Sequence, residues 1–340
     1  MLITIHHIIS DGWSVHLLYR DLSSIYVSLI RGRTIDTTTD PPGFVTHLRS
    51  HGQCHPDKTE SVLYWQVKLQ NCPPECRFPP DHLTPNVQSF DGDMVRSQFD
   101  ASLFKKIRSA AALHGVTPFI FLLTVFYALL YRYSGQTDNI VGTAVAGRDT
   151  QASKEITGCF ANTVVLRSSV SGEMTFADYL HAVACDVQSA LDHAGVSLLE
   201  MIHGANIERQ QGRNPVFQTM FVLQDFPVLP LGTVSSESIQ DHLSRSVVGP
   251  GDLLLERGFD VADGLHAFPW QHDIGSTKFD LTLYLKPGLA GMHLDWQFRS
   301  CLYEKETIRR VADHFVDFVE QVVNDPTQAI ESYSLPWYGV

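Results

Sequence analysis

Nine residues near the start of the chain have the types and spacing that proton-transfer chemistry needs: His6-His7-Ile8-Ile9-Ser10-Asp11-Gly12-Trp13-Ser14. An imidazole with an unperturbed pKa of about 6.5 is largely neutral near pH 7 and can accept a proton from a neighbouring nucleophile. Asp11, four residues after His7, supplies a carboxylate that can orient a ring or hold the turn through an ion pair. Asp-Gly suits a tight turn, because Gly12 reaches backbone angles that other residues resist. The competing reading is a pair of core histidines beside an Asx turn. The doubled His and the Trp13-Ser14 continuation weigh toward function.

The elements around this run decide how it is presented. Met1 to Ile5 (MLITI) is apolar and rich in β-branched residues, which predicts a buried strand. Successive side chains of a strand point to opposite faces, so one histidine faces reaction space and the other faces packing. That geometry counts against a metal site built from the pair. Val15 to Ile30 has apolar residues at 15, 17, 18, 22, 25, 26, 29 and 30, one helical face, closed by Gly32. Residues 34–58 read as loop, Ser61 to Leu69 as a short helix, and 71–92 as a Pro-rich crossing. This poorly periodic stretch suggests a linker between two lobes, with residues 1–92 holding the first lobe and the linker and 93–340 the C-terminal lobe.

The second block alternates strands and helices. Met94 to Phe99, Asn139 to Ala146, Thr163 to Ser169 and Val216 to Leu223 read as strands. Ser102 to His114, Thr117 to Tyr133, Phe176 to Asp192 and Glu304 to Val323 read as helices. Phe279 to Leu285 and Met292 to Phe298 read as a hairpin, with Gly288 and Gly291 between them. The mixture predicts an α/β (α+β layered) domain with helices over one side of a mixed sheet. Residues 227–273 show no period and read as an insertion longer than compact domains usually carry.

Composition excludes several classes. The 340 residues suffice for two domains of about 100–200 residues each. A hydrophobic content of 44% with 18% charged residues is globular, and a net charge of −12 argues against a nucleic-acid partner. The six cysteines are scattered, which suits free thiols of a cytoplasmic protein. Cys72-x3-Cys76 with His82 has a zinc-like look. No second ligand pair follows, so it reads as two loose thiols in a Pro-rich loop. No signal peptide is visible. Val116 to Leu130 is shorter than the ~20 residues of a membrane span and reads as a core helix, with Thr117 as N-cap and Pro118 at its first position. No membrane partner and no bound metal are expected.

The opening run resembles the core motif of the condensation domains of non-ribosomal peptide synthetases, H-H-x3-D-G, commonly continued by Trp-Ser. Three further segments carry the same resemblance in the family's order. Ile156-Thr157-Gly158-Cys159-Phe160-Ala161-Asn162-Thr163 with Arg167 is similar to I-G-x-F-V-N-T…R, after the strand and turn Val141 to Arg148. Arg209 to Gln218, containing Arg213-Asn214-Pro215, is similar to R-D-x-S-R-N-P-L-F, and Lys278-Phe279-Asp280-Leu281 is similar to K-F-D-L. Ala312-Asp313-His314-Phe315 through Asn324-Asp325-Pro326 resembles the closing helix.

The resemblance implies a chloramphenicol-acetyltransferase-like two-lobe condensation fold with a tunnel between the lobes. Donor and acceptor carrier proteins would deliver phosphopantetheine thioesters into it, with adenylation and carrier domains adjoining and no tightly bound cofactor. The family's catalytic His maps to His7 and its turn Asp to Asp11, with the Gly12 N–H as an oxyanion partner. His6, Trp13 and Ser14 support the motif. Asn162, Arg213 and Asn214 fall near the tunnel. The residues alone leave Asn162 open as a strand cap and Arg213-Asn214-Pro215 as a turn.

Departures from the family pattern carry their own expectations. Its two earliest motifs precede the core motif and are absent from these 340 residues. The first lobe is therefore expected to be incomplete, with an exposed sheet edge and with Asp11 lacking its basic partner. His193 to Glu200 keeps little of H-Q-D-x-P-F-E. A non-catalytic condensation-like docking module and an epimerisation domain are the alternatives. The latter continues Val-Ser-Trp-Arg after the Gly, unlike Trp13-Ser14-Val15-His16. A heterocyclisation domain, with its Asp-rich spacing, fits less well still.

Overall fold

The computed structural model describes residues 3–34, 43–52, 58–85, 87, 89–207, 214–224, 259–262, 265–267, 275–288 and 291–335. In chain order the elements are α1 (Gly12–Ile30), α2 (Phe44–Gly52), α3 (Thr59–Lys68), β1 (Gly92–Asp100), α4 (Ala101–Leu113), α5 (Pro118–Ser134), β2 (Asp138–Val145), α6 (Gln151–Lys154), β3 (Asn162–Ser169), α7 (Phe176–Asp192), α8 (Leu198–Gly204), β4 (Thr219–Leu223), β5 (Phe259–Ala262), β6 (Leu265–Ala267), β7 (Leu281–Gly288), β8 (Gly291–Arg299) and α9 (Lys305–Asn324). The mixed sheet has strand order β1-β8-β7-β4-β2-β3, and α4, α5, α7 and α9 pack along it.

Local chemistry explains where the helices start. Thr117 accepts from the Ile120 N–H, Pro118 takes the first turn, where its missing donor costs nothing, and Gly135 ends α5 in the left-handed region. Every residue of α5 from Phe121 to Leu130 is buried, so its all-round apolar sequence reflects a central position. In α9, Ile308, Val311, Ala312, Phe315, Phe318, Val319 and Val322 recur at helical spacing and face the same core. Among the described residues no single helix is long and apolar enough to cross a membrane.

The crossing that reads as loose in sequence is part of this core. Trp65, Leu69, Cys76 and Phe78, on the N-terminal side of the 92/93 boundary, are buried in one cluster with the sheet residues. Cys76 is not a loose thiol: its Sγ accepts from the Ile140 N–H, and its own N–H donates to the Gln218 Oε1. Asp280, of the K-F-D-L segment, sits between two buried guanidinium groups, Arg77 at 2.8 Å and Arg299 at 2.9 Å, which join the crossing to the hairpin β7–β8. Arg167 donates to the Lys68, Gln70 and Asn71 carbonyls, where the C-terminal end of α3 carries negative charge.

Three sequence expectations change here. Residues 3–6 are not a strand: they join no sheet among the described residues, Ile3 and Ile5 are exposed, and His7–Ile9 form a 3₁₀ turn. β-branched composition favours a strand only where a sheet edge accepts its hydrogen bonds. The loop at 34–58 contains α2, whose Phe44 packs edge-on to Phe160 at 4.9 Å. The 227–273 stretch lies mostly outside the described residues, but it includes the hairpin β5–β6, with β5 beside α1.

α1 forms as its spacing predicts, yet only Ser14, Leu17 and Ser23 are buried. Polar bonds hold it to the body: Trp13 Nε1 donates to the Lys154 carbonyl and Arg20 pairs with Glu155.

Candidate active site

The site lies where two parallel strands separate. β2 and β4 meet in register only at Gly142 opposite Met220. A Cβ on Gly142 would stand 2.3 Å from the Phe217 ring and 2.5 Å from Met220 Sδ, so the close approach requires glycine. Beyond it the carboxyl ends diverge, and Ala144, Val145 and Ala146 face Val222, Leu223 and Gln224 across a cavity of about 560 Å³. Parallel strands that part at their carboxyl ends form a general crevice for ligands, and this volume is typical of small-molecule sites.

His7, Asp11, Gly12 and Trp13 border the cavity, together with Asn162, Lys278 and Tyr284. His6 does not border it. Its Nδ1 accepts from the Ile8 N–H at 3.1 Å, which folds the ring back over the 3₁₀ turn. The separation of the two rings therefore comes from a turn, where strand alternation was expected. His7 Nδ1 lies 3.8 Å from the Cys159 Sγ. Burial and the nearby Asp11 charge raise the Cys159 thiol, so it stays protonated beside the ring.

Asp11 is the N-cap of α1, and Gly12 is its first helical residue without a positive φ, so no left-handed turn explains the glycine. Asp11 accepts from the Ser14 N–H at 2.8 Å, the Ser14 hydroxyl at 2.8 Å and the Phe160 N–H at 3.0 Å. The expectation that it lacks a basic partner is overturned. Arg148, in the turn after β2, donates to both carboxylate oxygens at 2.9 and 3.1 Å, with both side chains almost wholly buried. The same guanidinium donates to the Ser153, Ile156 and Gly158 carbonyls and stacks 4.2 Å from the Phe160 ring centroid. Ser14 Oγ bridges the two sides, accepting from the Gly158 N–H and from Arg148. The start of α1 is thus locked to the segment 148–160 by charge-assisted bonds, the stronger kind.

Burial by itself raises the Asp11 carboxyl, but the bonds from Ser14 and Phe160 and the Arg148 charge outweigh it and hold the group below the usual carboxylate range. A carboxyl depressed in the folded state contributes stability above its unfolded pKa of about 3.9 and loses it as pH falls toward the folded value. The expected result is a melting temperature that drops more steeply below about pH 4 in the wild type than in Asp11→Asn, whose side chain does not titrate. Circular dichroism melts over a pH series check this; parallel slopes would contradict it.

The remaining candidates separate into those at the cavity and those outside it. Asn162 borders it, but its amide donates to the Ala194 and Val196 carbonyls and its Oδ1 accepts from the Thr163 N–H, so its polar atoms pin the α7–α8 connection. Asn214 is not at the cavity: its Oδ1 accepts from the Val216 and Phe217 N–H groups, an Asx turn before β4. Arg213 and Arg209 lie outside the described residues. Sequence reasoning did not single out Arg148 or Tyr284. A Gly-Arg-Asp turn directly after a strand signals an arginine near the strand's carboxyl end, whereas Tyr284 has no local signal. Burial, then the Asp295 charge, raises the Tyr284 phenol, which therefore stays protonated as a donor. Among the described residues no group of acidic, histidine or cysteine side chains could hold a metal ion.

The family described as "Condensation domain" matches residues 1–337. A linear gramicidin synthase of Brevibacillus parabrevis is 30% identical over 97% of this chain, which spans only 6% of that protein's length. A four-domain nonribosomal peptide synthetase solved with AMP and glycine superposes with a TM-score of 0.80 at 20% identity, over 98% of this chain and 24% of that one. The X-domain from teicoplanin biosynthesis gives 0.76 at 19% identity, over 98% and 71%. The chain belongs to the condensation-domain family of nonribosomal peptide synthetases.

Proposed function

We propose that this domain joins a donor acyl or peptidyl thioester to the amine of an acceptor aminoacyl thioester, each carried on the phosphopantetheine arm of a carrier protein. The observation that carries the reading is the shared border of one cavity by His7 and by the first turn of α1. The acceptor amine attacks the donor carbonyl, a C–N bond forms, the C–S bond breaks, and the amine proton passes through His7 to the departing thiolate. His7 Nδ1 faces the Cys159 Sγ, and Nε2 has no partner among the described residues, so Nε2 is the nitrogen offered to the amine. The N–H groups of Gly12 and Trp13 meet no acceptor among the described residues and stand at the positive end of a long helix. They suit the oxyanion of the tetrahedral intermediate. Asp11 and Arg148 hold that helix end in place without touching the reacting atoms. Adjoining adenylation and carrier domains belong to the same reading.

The expected result is an amide on the acceptor carrier after both loaded carriers are mixed with the chain, followed by mass spectrometry of the intact carriers. A folded chain that binds both carriers and gives no product at any concentration would favour the second reading, a docking module. That alternative draws on the likeness to the teicoplanin X-domain, which has also been solved in complex with OxyB.

A further inference from the structure

Condensation brings two acyl groups and the ends of two arms into one cavity of about 560 Å³, a volume within the usual range for a single small molecule. The side chains that bound it therefore decide which groups fit. Residues paired in register share a face of a sheet. Thr163 of β3 pairs with Ala144 of β2, Val222 of β4 pairs with Tyr284 of β7, and all four border the cavity. One row earlier Gly142, Met220 and Thr282 are in register and buried, and they close the floor.

The two sides of this row differ. The β2–β3 side lies next to His7 through Cys159, and its wall is small: Ala144, Ala146, Ala161 and Thr163. On the β7 side stands Tyr284, the bulkiest strand residue at the cavity. In the order β7-β4-β2-β3 the two sides are three strands apart, about 14 Å at the usual strand spacing. A side chain that runs from His7 across the sheet therefore meets the Tyr284 ring. Behind the ring, β8 does not give way: Asp295, in register with Tyr284, is buried and paired with Lys286 at 2.6 Å.

We propose that Tyr284 is a specificity-determining residue that limits the size of one reacting group, so that compact side chains such as those of alanine or valine are accepted and an indole is refused. The inference rests on the condensation reading of the same cavity. The limit is one of volume. The ring has little room to turn aside, because Thr282 and Lys286 flank it on the same face of β7 and Val222 and Asp295 flank it on the neighbouring strands.

The test measures binding apart from catalysis. Stable pantetheine conjugates with an amide in place of the thioester carry alanyl, valyl, leucyl or tryptophanyl groups. One series keeps the free amine of an acceptor, and a second is N-acetylated to stand for a donor. Both are titrated into the full chain by calorimetry. One series is expected to lose about tenfold in affinity between its valyl and tryptophanyl members, the scale on which apolar pockets discriminate by size. Tyr284→Val, which keeps a strand-forming residue, removes that loss, and Tyr284→Phe, which keeps the ring, retains it. Tyr284→Trp extends the loss to the leucyl member and reads the limit from the opposite side, with melting curves checking that each variant is folded. Equal affinity across both wild-type series, an unchanged loss in folded Tyr284→Val, or no binding of any conjugate would each overturn the assignment. So would a Tyr284→Phe variant that behaves as Tyr284→Val, since the hydroxyl would then be what the substrate meets. A size limit without amide product would sink the condensation reading and leave Tyr284 standing. Product without a size limit would do the reverse.

Discussion

His7→Ala is expected to lower amide formation by about 10²–10⁴-fold, the usual contribution of a positioned acid–base group, while leaving the fold unchanged. The two parts follow from one observation. His7 borders the cavity, yet its ring is exposed and its recorded partner is a thiol at 3.8 Å, so its removal opens no core and breaks no strong bond. The stability change is therefore about 0.5 kcal/mol or less, as for exposed positions elsewhere. Initial rates by mass spectrometry, paired with thermal melts, separate the effects. A mutant that turns over like the wild type would remove His7 from the chemistry and shift the weight to proximity, since two tethered reactants already gain greatly from being held together. His6→Ala is the internal contrast. Its ring caps the 3₁₀ turn through the Ile8 N–H, so it acts only through the placement of His7.

Arg148→Met is expected to be the most destabilising single change around the site, at about 3–5 kcal/mol, because it strands a buried carboxylate. The guanidinium answers Asp11 and three backbone carbonyls at once, all in a region closed by Phe160 and by Phe44 of α2. Urea titrations of Arg148→Met, Asp11→Asn and the double variant form a cycle. The double variant is expected to recover part of the loss, since removing both charges costs less than removing one. Additive losses would show that the pair is not coupled. Activity is expected to fall with Arg148→Met as well, because the first turn of α1 loses the bonds that hold it at the cavity.

The parts that could be read from sequence share a short range. Thr117-Pro118 announced α5 because a hydroxyl three residues before a free N–H is a local event. Phe176 to Asp192 and the hairpin strands around Gly288 and Gly291 were legible because periodicity needs only neighbours. The His7–Asp11–Gly12 run was visible for the same reason. Ser197 and Glu200 also form a capping box for α8, although the family segment there looked eroded.

What failed was the reading of residues whose partners lie far along the chain. MLITI looked like a strand, but a strand exists only where another edge accepts its bonds. Asp11 looked unpaired because the resemblance placed its basic partner before the core motif, whereas the arginine that answers it lies 137 positions further on. Cys76 looked loose because nothing nearby in sequence reveals that Ile140 donates to it.

By itself, then, the sequence determined the long helices, most strands, the imidazole–carboxylate run and, through its motifs, the family. Tertiary structure alone decided that the strands β2 and β4 part after Gly142 to open a cavity, that Arg148 neutralises Asp11, and that Tyr284 borders the cavity three strands away from Thr163. The physical reason is that propensity, capping and periodicity act over a few residues. Charge neutralisation and cavity formation depend on which distant groups the fold brings within a few ångströms.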